Sequence, residues 1–186
     1  MDRRLFLQAA VAIPTTNFLD VPVVGQDFWQ RPRIIDLQRR DTGERYAMTY
    51  WQNGSLDIAG YTKVCEVMRD AHVGEVVQID LRLLDLMCAT QAWVRFYGYN
   101  VPYVIHSGYR SPKTNKGIEG AAKDSKHMTG EAVDFTVPGL PSEYMGKLAH
   151  AFLKTDGQGG GVGFYTNSKF THMDTGRGRE RVWRGK

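Results

Sequence analysis

Three residues in the second half of the chain have the types and spacing of a metal site: His127, Asp134 and His172. Zinc takes imidazole nitrogen and carboxylate oxygen, and a hydrolytic site uses three protein ligands and leaves a fourth position for water. His127 and Asp134 flank Gly130, a turn residue, so a loop, a turn and a strand bring both side chains to one point. His172 comes from a neighbouring strand, Lys169 to Asp174, in which period two sets Phe170, His172 and Asp174 on one face. On spacing alone, a histidine in a polar loop is more often structural or exposed than a ligand. The case therefore rests on the surroundings.

The elements that must position these residues fit one domain. The chain has 186 residues, 42% hydrophobic and 24% charged, enough for one full core and ordinary for a soluble globular protein. No run approaches the roughly 18 apolar residues of a membrane span. The net charge of +4 is spread along the chain without a recognition motif, which argues against a nucleic-acid partner. Cys65 and Cys88 form no CxxC pair and read as two buried free thiols, with a disulfide open if the protein is exported.

Residues 1–25 read as an export signal and linker: Arg3-Arg4 is followed by Leu5-Phe6-Leu7-Gln8 and a short apolar run ending at Pro14, and Ala10-Val11-Ala12 is a candidate cleavage site. The alternative is an ordinary basic N-terminus. Residues 18–33 read as irregular, with Phe28 and Trp29 packing back on the domain 26–186. Ile34–Gln38 and Tyr46–Trp51 predict a hairpin across Asp41-Thr42-Gly43-Glu44, and Asn53-Gly54 predicts a second turn. Helical spacing runs over Asp57–Asp70 and Leu81–Tyr97, the latter capped by Asp80 and ended by Gly98. Val101–Ile105 predicts a strand, 111–124 a loop or a short helix and loop, and Glu131–Val137 another strand. Glu143–Leu153 reads as an amphipathic helix with Tyr144, Leu148, Ala151 and Phe152 inward. A glycine run leads into the strand Gly161–Tyr165, and Arg177–Lys186 reads as a basic tail containing Trp183.

Several spaced blocks occur in one order: Ser107-Gly108-Tyr109-Arg110-Ser111, Ser125-x-His127-x-x-Gly130-x-Ala132-x-Asp134, Gly161-Val162-Gly163-x-Tyr165, and Phe170-x-His172-x-Asp174-x-Gly176. Together they resemble the zinc peptidase superfamily of lysostaphin, the D-alanyl-D-alanine metallopeptidases and hedgehog, and within it the twin-arginine-exported murein endopeptidase K type. The resemblance covers about residues 30–186 and includes Thr42-Gly43-Glu44 and the segment Ile79–Asp85. It implies an α+β fold with a small central antiparallel sheet and flanking helices. It also implies one zinc ion on His127, Asp134 and His172. By position it implicates Arg110 in polarising or anchoring a substrate carbonyl or carboxylate, as suits a fixed fork of donors. Tyr109 and Ser125 are candidate substrate contacts, and His106 is a structural or cleft-lining residue. His72 and His150 read as exposed.

One departure matters. Where many superfamily members carry a catalytic base just before the last ligand, this chain has Lys169 and Phe170. Asp174 is the substitute, either as general base or as the carboxylate that orients the His172 imidazole. The resemblance implies a monomeric periplasmic or cell-envelope enzyme that hydrolyses peptidoglycan stem peptides or cross-links. A D,D-carboxypeptidase would use the same ligands, and hedgehog shows that the fold also serves as a non-catalytic binding module. A folded redox protein exported with its cofactor would need a cofactor motif, which the sequence lacks.

Overall fold

A computed structural model describes residues 26–185. The expected export signal and linker, residues 1–25, lie outside the described residues.

Among the described residues, eight strands form one sheet in the order β3-β2-β1-β4-β5-β7-β6-β8. They span Arg33–Arg39 (β1), Arg45–Gln52 (β2), Ser55–Leu56 (β3), Tyr103–Ser107 (β4), Ala132–Thr136 (β5), Gly161–Tyr165 (β6), Phe170–Asp174 (β7) and Arg181–Gly185 (β8). The expected fold class, α+β, holds. The small antiparallel sheet does not: the sheet is large and mixed, because β1 runs parallel to β4 and β6 parallel to β8. The first parallel pair follows from connectivity. Between β1 and β4 the chain makes the β2–β3 hairpin and then two helices, α2 (Ile58–Val67) and α3 (Leu81–Phe96), a crossover long enough to return in the same direction. The second comes from the C-terminal residues. The basic tail of the sequence reading is a strand, which passes β7 and adds outside β6.

The helices form as their caps and periodicity dictate. Asp57 accepts a hydrogen bond from the Gly60 N–H at the start of α2, and Asp80 accepts from the Arg82 N–H at the start of α3. Helix α3 buries Leu83, Leu84, Met87, Cys88, Gln91 and Val94 on its inner side. A short helix, α4 (Pro112–Gly117), follows β4 with Ser111 as its cap, and the last helix among the described residues, α5 (Ser142–Asp156), buries Met145, Leu148, Ala149 and Phe152. Tyr144 does not face inward as expected but lies on the solvent side, 40% exposed, with the Lys147 ammonium over its ring. The inward stripe is set instead by Met145 and Ala149, one position later on the helical wheel. The expected irregular segment before β1 contains a short helix, α1 (Gln26–Gln30), and its Phe28 and Trp29 do pack on the core.

Helices α3 and α5 pack on each other and on opposite halves of one sheet face. Tyr103 of β4 shows which face: its ring stacks on Phe135 at 4.6 Å, and its hydroxyl donates to Thr90 of α3. Cys65 and Cys88 are both buried and free. Because side chains alternate along a strand, putting Val133, Phe135 and Met173 into this core turns Asp134, His172 and Asp174 to the opposite face. No helix among the described residues is long and apolar enough to cross a membrane.

Candidate metal centre

Three strands and one turn of 3-10 helix build the centre. Asp134 of β5 and His172 of β7 are direct register partners in the antiparallel pair. Ser107, the last residue of β4, is the partner of Asp134 on its other side. His127 sits in the 3-10 turn Lys126–Thr129 that precedes β5. Gly130 closes that turn at φ +70°, and a Cβ there would lie 2.5 Å from the Gln78 carbonyl oxygen. Glycine is thus required both by the left-handed backbone and by the close approach of the neighbouring chain. The turn reverses the chain so that His127 folds back over the strand that carries Asp134.

The donor atoms of His127, Asp134 and His172 all lie within 4.8 Å of one another. His127 Nε2 is 3.3 Å from Asp134 Oδ2 and 3.3 Å from His172 Nδ1, and His172 Nδ1 is 2.8 Å from Asp134 Oδ1. Tetrahedral bonds of about 2.0–2.1 Å place donors about 3.3 Å apart, so the cluster fits one small divalent cation, and its nitrogen and oxygen donors are of the kind zinc accepts.

The residues behind the donors fix their tautomers. His127 Nδ1 is 2.6 Å from the Gly108 carbonyl oxygen, so this nitrogen carries the proton and Nε2 presents its lone pair to the cluster. His172 Nε2 is 3.2 Å from Asp174 Oδ2, which orients the ring with Nδ1 inward. Asp174 is buried and its other oxygen is also engaged, accepting from the Gly176 N–H at 2.9 Å and from Arg181 Nη2 at 2.7 Å. Arg110 donates from Nε to Ser107 Oγ at 2.7 Å and from Nη2 to Asp134, and its backbone N–H donates to the His127 carbonyl. This guanidinium therefore touches one member of the cluster directly and is tied to another through the chain.

Charge in this buried place is set by pairing. Burial pushes the His127 pKa down. Burial opposes the charged form of His172 too, but the carboxylates of Asp134 and Asp174 outweigh it and raise that imidazole to about 9. Burial also works against ionised Asp134, yet the two imidazoles hold its carboxyl well below the usual carboxylate range.

The cluster opens on a cleft of about 980 Å³ lined by Ser125, Tyr165, Phe170, Trp183 and Arg110 as well as the three donors. Ser125 thus lies in this cleft, half-buried at the start of the 3-10 turn. Tyr109 does not. It is 6% exposed and lines a neighbouring cleft of about 380 Å³, which shares Arg110, Asp134 and Phe170 with the first. His106 lines this second cleft as well, and His72 at its rim is exposed. His150 differs from expectation: it is half-buried and paired with Glu180.

Two contributors were missed in the sequence. Trp183 of β8 lies beside His172 with ring centroids 5.2 Å apart, and its Nε1 donates to the Tyr165 hydroxyl at 3.1 Å. Arg181 of the same strand holds Asp174. A Cβ at Gly163 would come within 2.5 Å of the Trp183 indole, so the Gly161-Val162-Gly163 spacing makes room for this ring. That spacing was the only local hint that an aromatic residue packs there.

Two imidazoles and a carboxylate gathered on the open face of a helix-backed sheet make a donor set that could hold a metal ion, and the chain that carries it is a peptidase by family. The chain belongs to the peptidase family described as peptidoglycan L,D-endopeptidase MepK, whose match spans residues 28–183. It is 30% identical over 181 residues to the peptidoglycan L,D-endopeptidase MepK of Escherichia coli K12, covering 95% of this chain and 94% of that relative. The Shigella flexneri protein of the same name matches equally. A Haemophilus influenzae relative named "Probable peptidoglycan L,D-endopeptidase MepK" is 30% identical over 159 residues, covering 83% of this chain and 81% of its own. The resemblance drawn from the motif blocks is thereby borne out at the level of the family.

Proposed function

We propose that this protein is a zinc-dependent peptidoglycan endopeptidase that hydrolyses L,D peptide bonds in stem peptides or cross-links. The observation that carries the proposal is the His127–Asp134–His172 cluster, with donor separations of 3.3, 3.3 and 2.8 Å at an open cleft, in a chain of this family. The bond class is taken from the activity in the relatives' names. The arginine pair at Arg3-Arg4 supports delivery to the periplasm by the twin-arginine route, where such a substrate lies.

His127, Asp134 and His172 would hold the zinc ion, which when bound would lower the pKa of water toward about 7 and polarise a carbonyl. The remaining chemistry belongs to the chain. The Gly108 carbonyl and Asp174 hold the two imidazoles with His127 Nε2 and His172 Nδ1 facing the cluster, and His172 would give up its second proton as a metal entered. Arg110 is anchored through Nε and Nη2 and directs its remaining N–H groups to the substrate carbonyl oxygen, stabilising the negative charge that develops there. Tyr165, Phe170 and Trp183 wall the cleft and exclude water from one side. Of the two roles open to Asp174, the hydrogen bonds favour positioning. Both of its oxygens are engaged and it is buried, so it acts by orienting His172, and Arg181 holds it in place.

The test is digestion of purified cross-linked peptidoglycan by the protein lacking residues 1–25, with and without a chelator, and mass spectrometry of the products. Chelator-sensitive loss of cross-linked dimers, with new ends at an L,D bond, is the expected result. Release of terminal D-alanine alone would make the enzyme a carboxypeptidase. A folded, zinc-loaded protein without turnover would make it a binding module.

A further inference from the structure

The second cleft has a built positive end that the reaction does not use. Arg40 lies in the turn between β1 and β2, exposed, and its backbone N–H donates to the Ile105 carbonyl at 3.0 Å. Its Nη1 is 3.1 Å from His106 Nδ1, and His106 Nε2 is 2.6 Å from Thr136 Oγ1. Thr136 in turn donates to the Lys169 carbonyl at 3.1 Å. Donors and acceptors match along this row only if His106 is neutral with its proton on Nε2, and burial followed by the Arg40 charge favours that form. The row aims one guanidinium and leaves its other N–H groups without a protein partner among the described residues. Arg40 also has no carboxylate within ion-pair distance among those residues. The acidic groups of the cleft are committed elsewhere. Asp70 accepts three backbone N–H groups, from His72, Val73 and Ser111, and Asp134 is held by Arg110 and the imidazoles. Arg40 shares its cleft with Arg110, Asp134 and Phe170, which also line the metal cleft, so a peptide laid across the centre reaches it.

We propose that Arg40, positioned by His106, is a specificity residue that binds a free carboxylate on the substrate peptide beside the scissile bond. The inference rests on the peptidase reading and deepens it by naming a charge the substrate must carry. A guanidinium with free N–H groups beside a neutral donor row is suited to a carboxylate, which offers two charged acceptors where a neutral amide of the same shape offers one uncharged oxygen.

The test uses two synthetic peptides of one sequence, carrying either the free carboxylate or the primary carboxamide at that position. The full chain should show a KM about 10- to 100-fold lower for the acid peptide at similar kcat. Arg40→Gln should erase that preference by raising KM on the acid peptide alone, and Arg40→Lys should restore part of it. The same order should appear in equilibrium binding measured with a chelator present. Equal binding of both peptides by the unsubstituted protein, or equal weakening of both by Arg40→Gln, overturns the inference. An acid preference in binding without any turnover overturns the peptidase reading and leaves only the contact between Arg40 and a peptide carboxylate.

Discussion

Strands β5 and β7 present two faces of opposite character. On the helix side, Val133, Phe135 and Met173 are fully buried in the apolar core. On the other side, Asp134 and Asp174 are also buried, and His172 keeps only 12% of its side chain exposed. Burial alone therefore does not distinguish the faces. One face removes apolar area from water, a gain of about 1.5–3 kcal/mol for each large side chain. The other holds charges that cost free energy unless each is paired and hydrogen-bonded. The same backbone registers serve both, so positioning of the donors is inherited from the core.

The sharpest break in this comparison is a donor removed from the polar face. His172→Ala, or His127→Ala, should lower peptidoglycan hydrolysis by more than about 1000-fold, since the loss of metal polarisation is worth several kcal/mol. The fold should persist, as judged by cooperative melting and an unchanged far-ultraviolet spectrum. Full activity in a folded variant would show that the cluster is not the reaction centre. The converse substitution is one residue away on the other face. Phe135→Ala should cost about 3–5 kcal/mol of stability by denaturant titration, while activity per folded molecule stays near the original. If instead Phe135→Ala abolished activity at full stability, the division of labour between the faces would be wrong.

A smaller effect separates the two roles open to Asp174. As the carboxylate that orients His172, it should when changed to Asn lower zinc affinity about 10- to 100-fold, measured by competition with a chromogenic chelator. Hydrolysis by the zinc-saturated variant should then largely recover. A variant that binds zinc normally yet has lost kcat would mark Asp174 as the base and Arg181 as the residue that tunes it.

The polar face was the more legible of the two in the sequence, because its residues carry types that chemistry restricts. A turn at Gly130 and the strand period allowed His127, Asp134 and His172 to meet, the motif blocks around them singled them out, and the structure brings the three donors together. Helices α2 and α3 were legible from their apolar spacing, and α3 also from its cap at Asp80, whereas the Asp57 cap of α2 shows only in the structure. Strand β8 was not. Its five residues, Arg181 to Gly185, hold only Val182 and Trp183 as apolar members, and flanking arginines are what an edge strand carries to discourage further pairing. Its parallel pairing with β6 is a contact across the sheet that no local pattern encodes. Arg181 and Trp183 were invisible as site residues for the same reason. Tyr144 was misplaced because its aromatic body resembles core, while the Lys147 pair keeps it at the surface.

The least of these effects lies outside both faces, at the loop that carries Arg110. Asp70 is buried in the loop just past α2, where Oδ1 accepts from the His72 and Val73 N–H groups and Oδ2 from the Ser111 N–H at 2.7 Å. Ser111 follows Arg110, so this carboxylate ties the loop to the helix. Burial works against its charge, but the N–H groups and hydroxyls of Ser111, Thr114 and His72 prevail and hold its pKa below the ordinary value. A carboxyl whose folded pKa is depressed contributes stability that is full above its unfolded pKa of about 3.9 and is lost as pH falls toward the folded value. Asp70→Asn keeps one acceptor and loses the other, and should cost about 1–2 kcal/mol at neutral pH. The gap between the two proteins should stay level from pH 8 to about pH 5 and close only below about pH 4. A gap that instead closed between pH 6 and 7 would assign the effect to a histidine and remove Asp70 as the tie. A loosened loop should also raise KM through Arg110 by a few-fold, which links this distant carboxylate to the polar face.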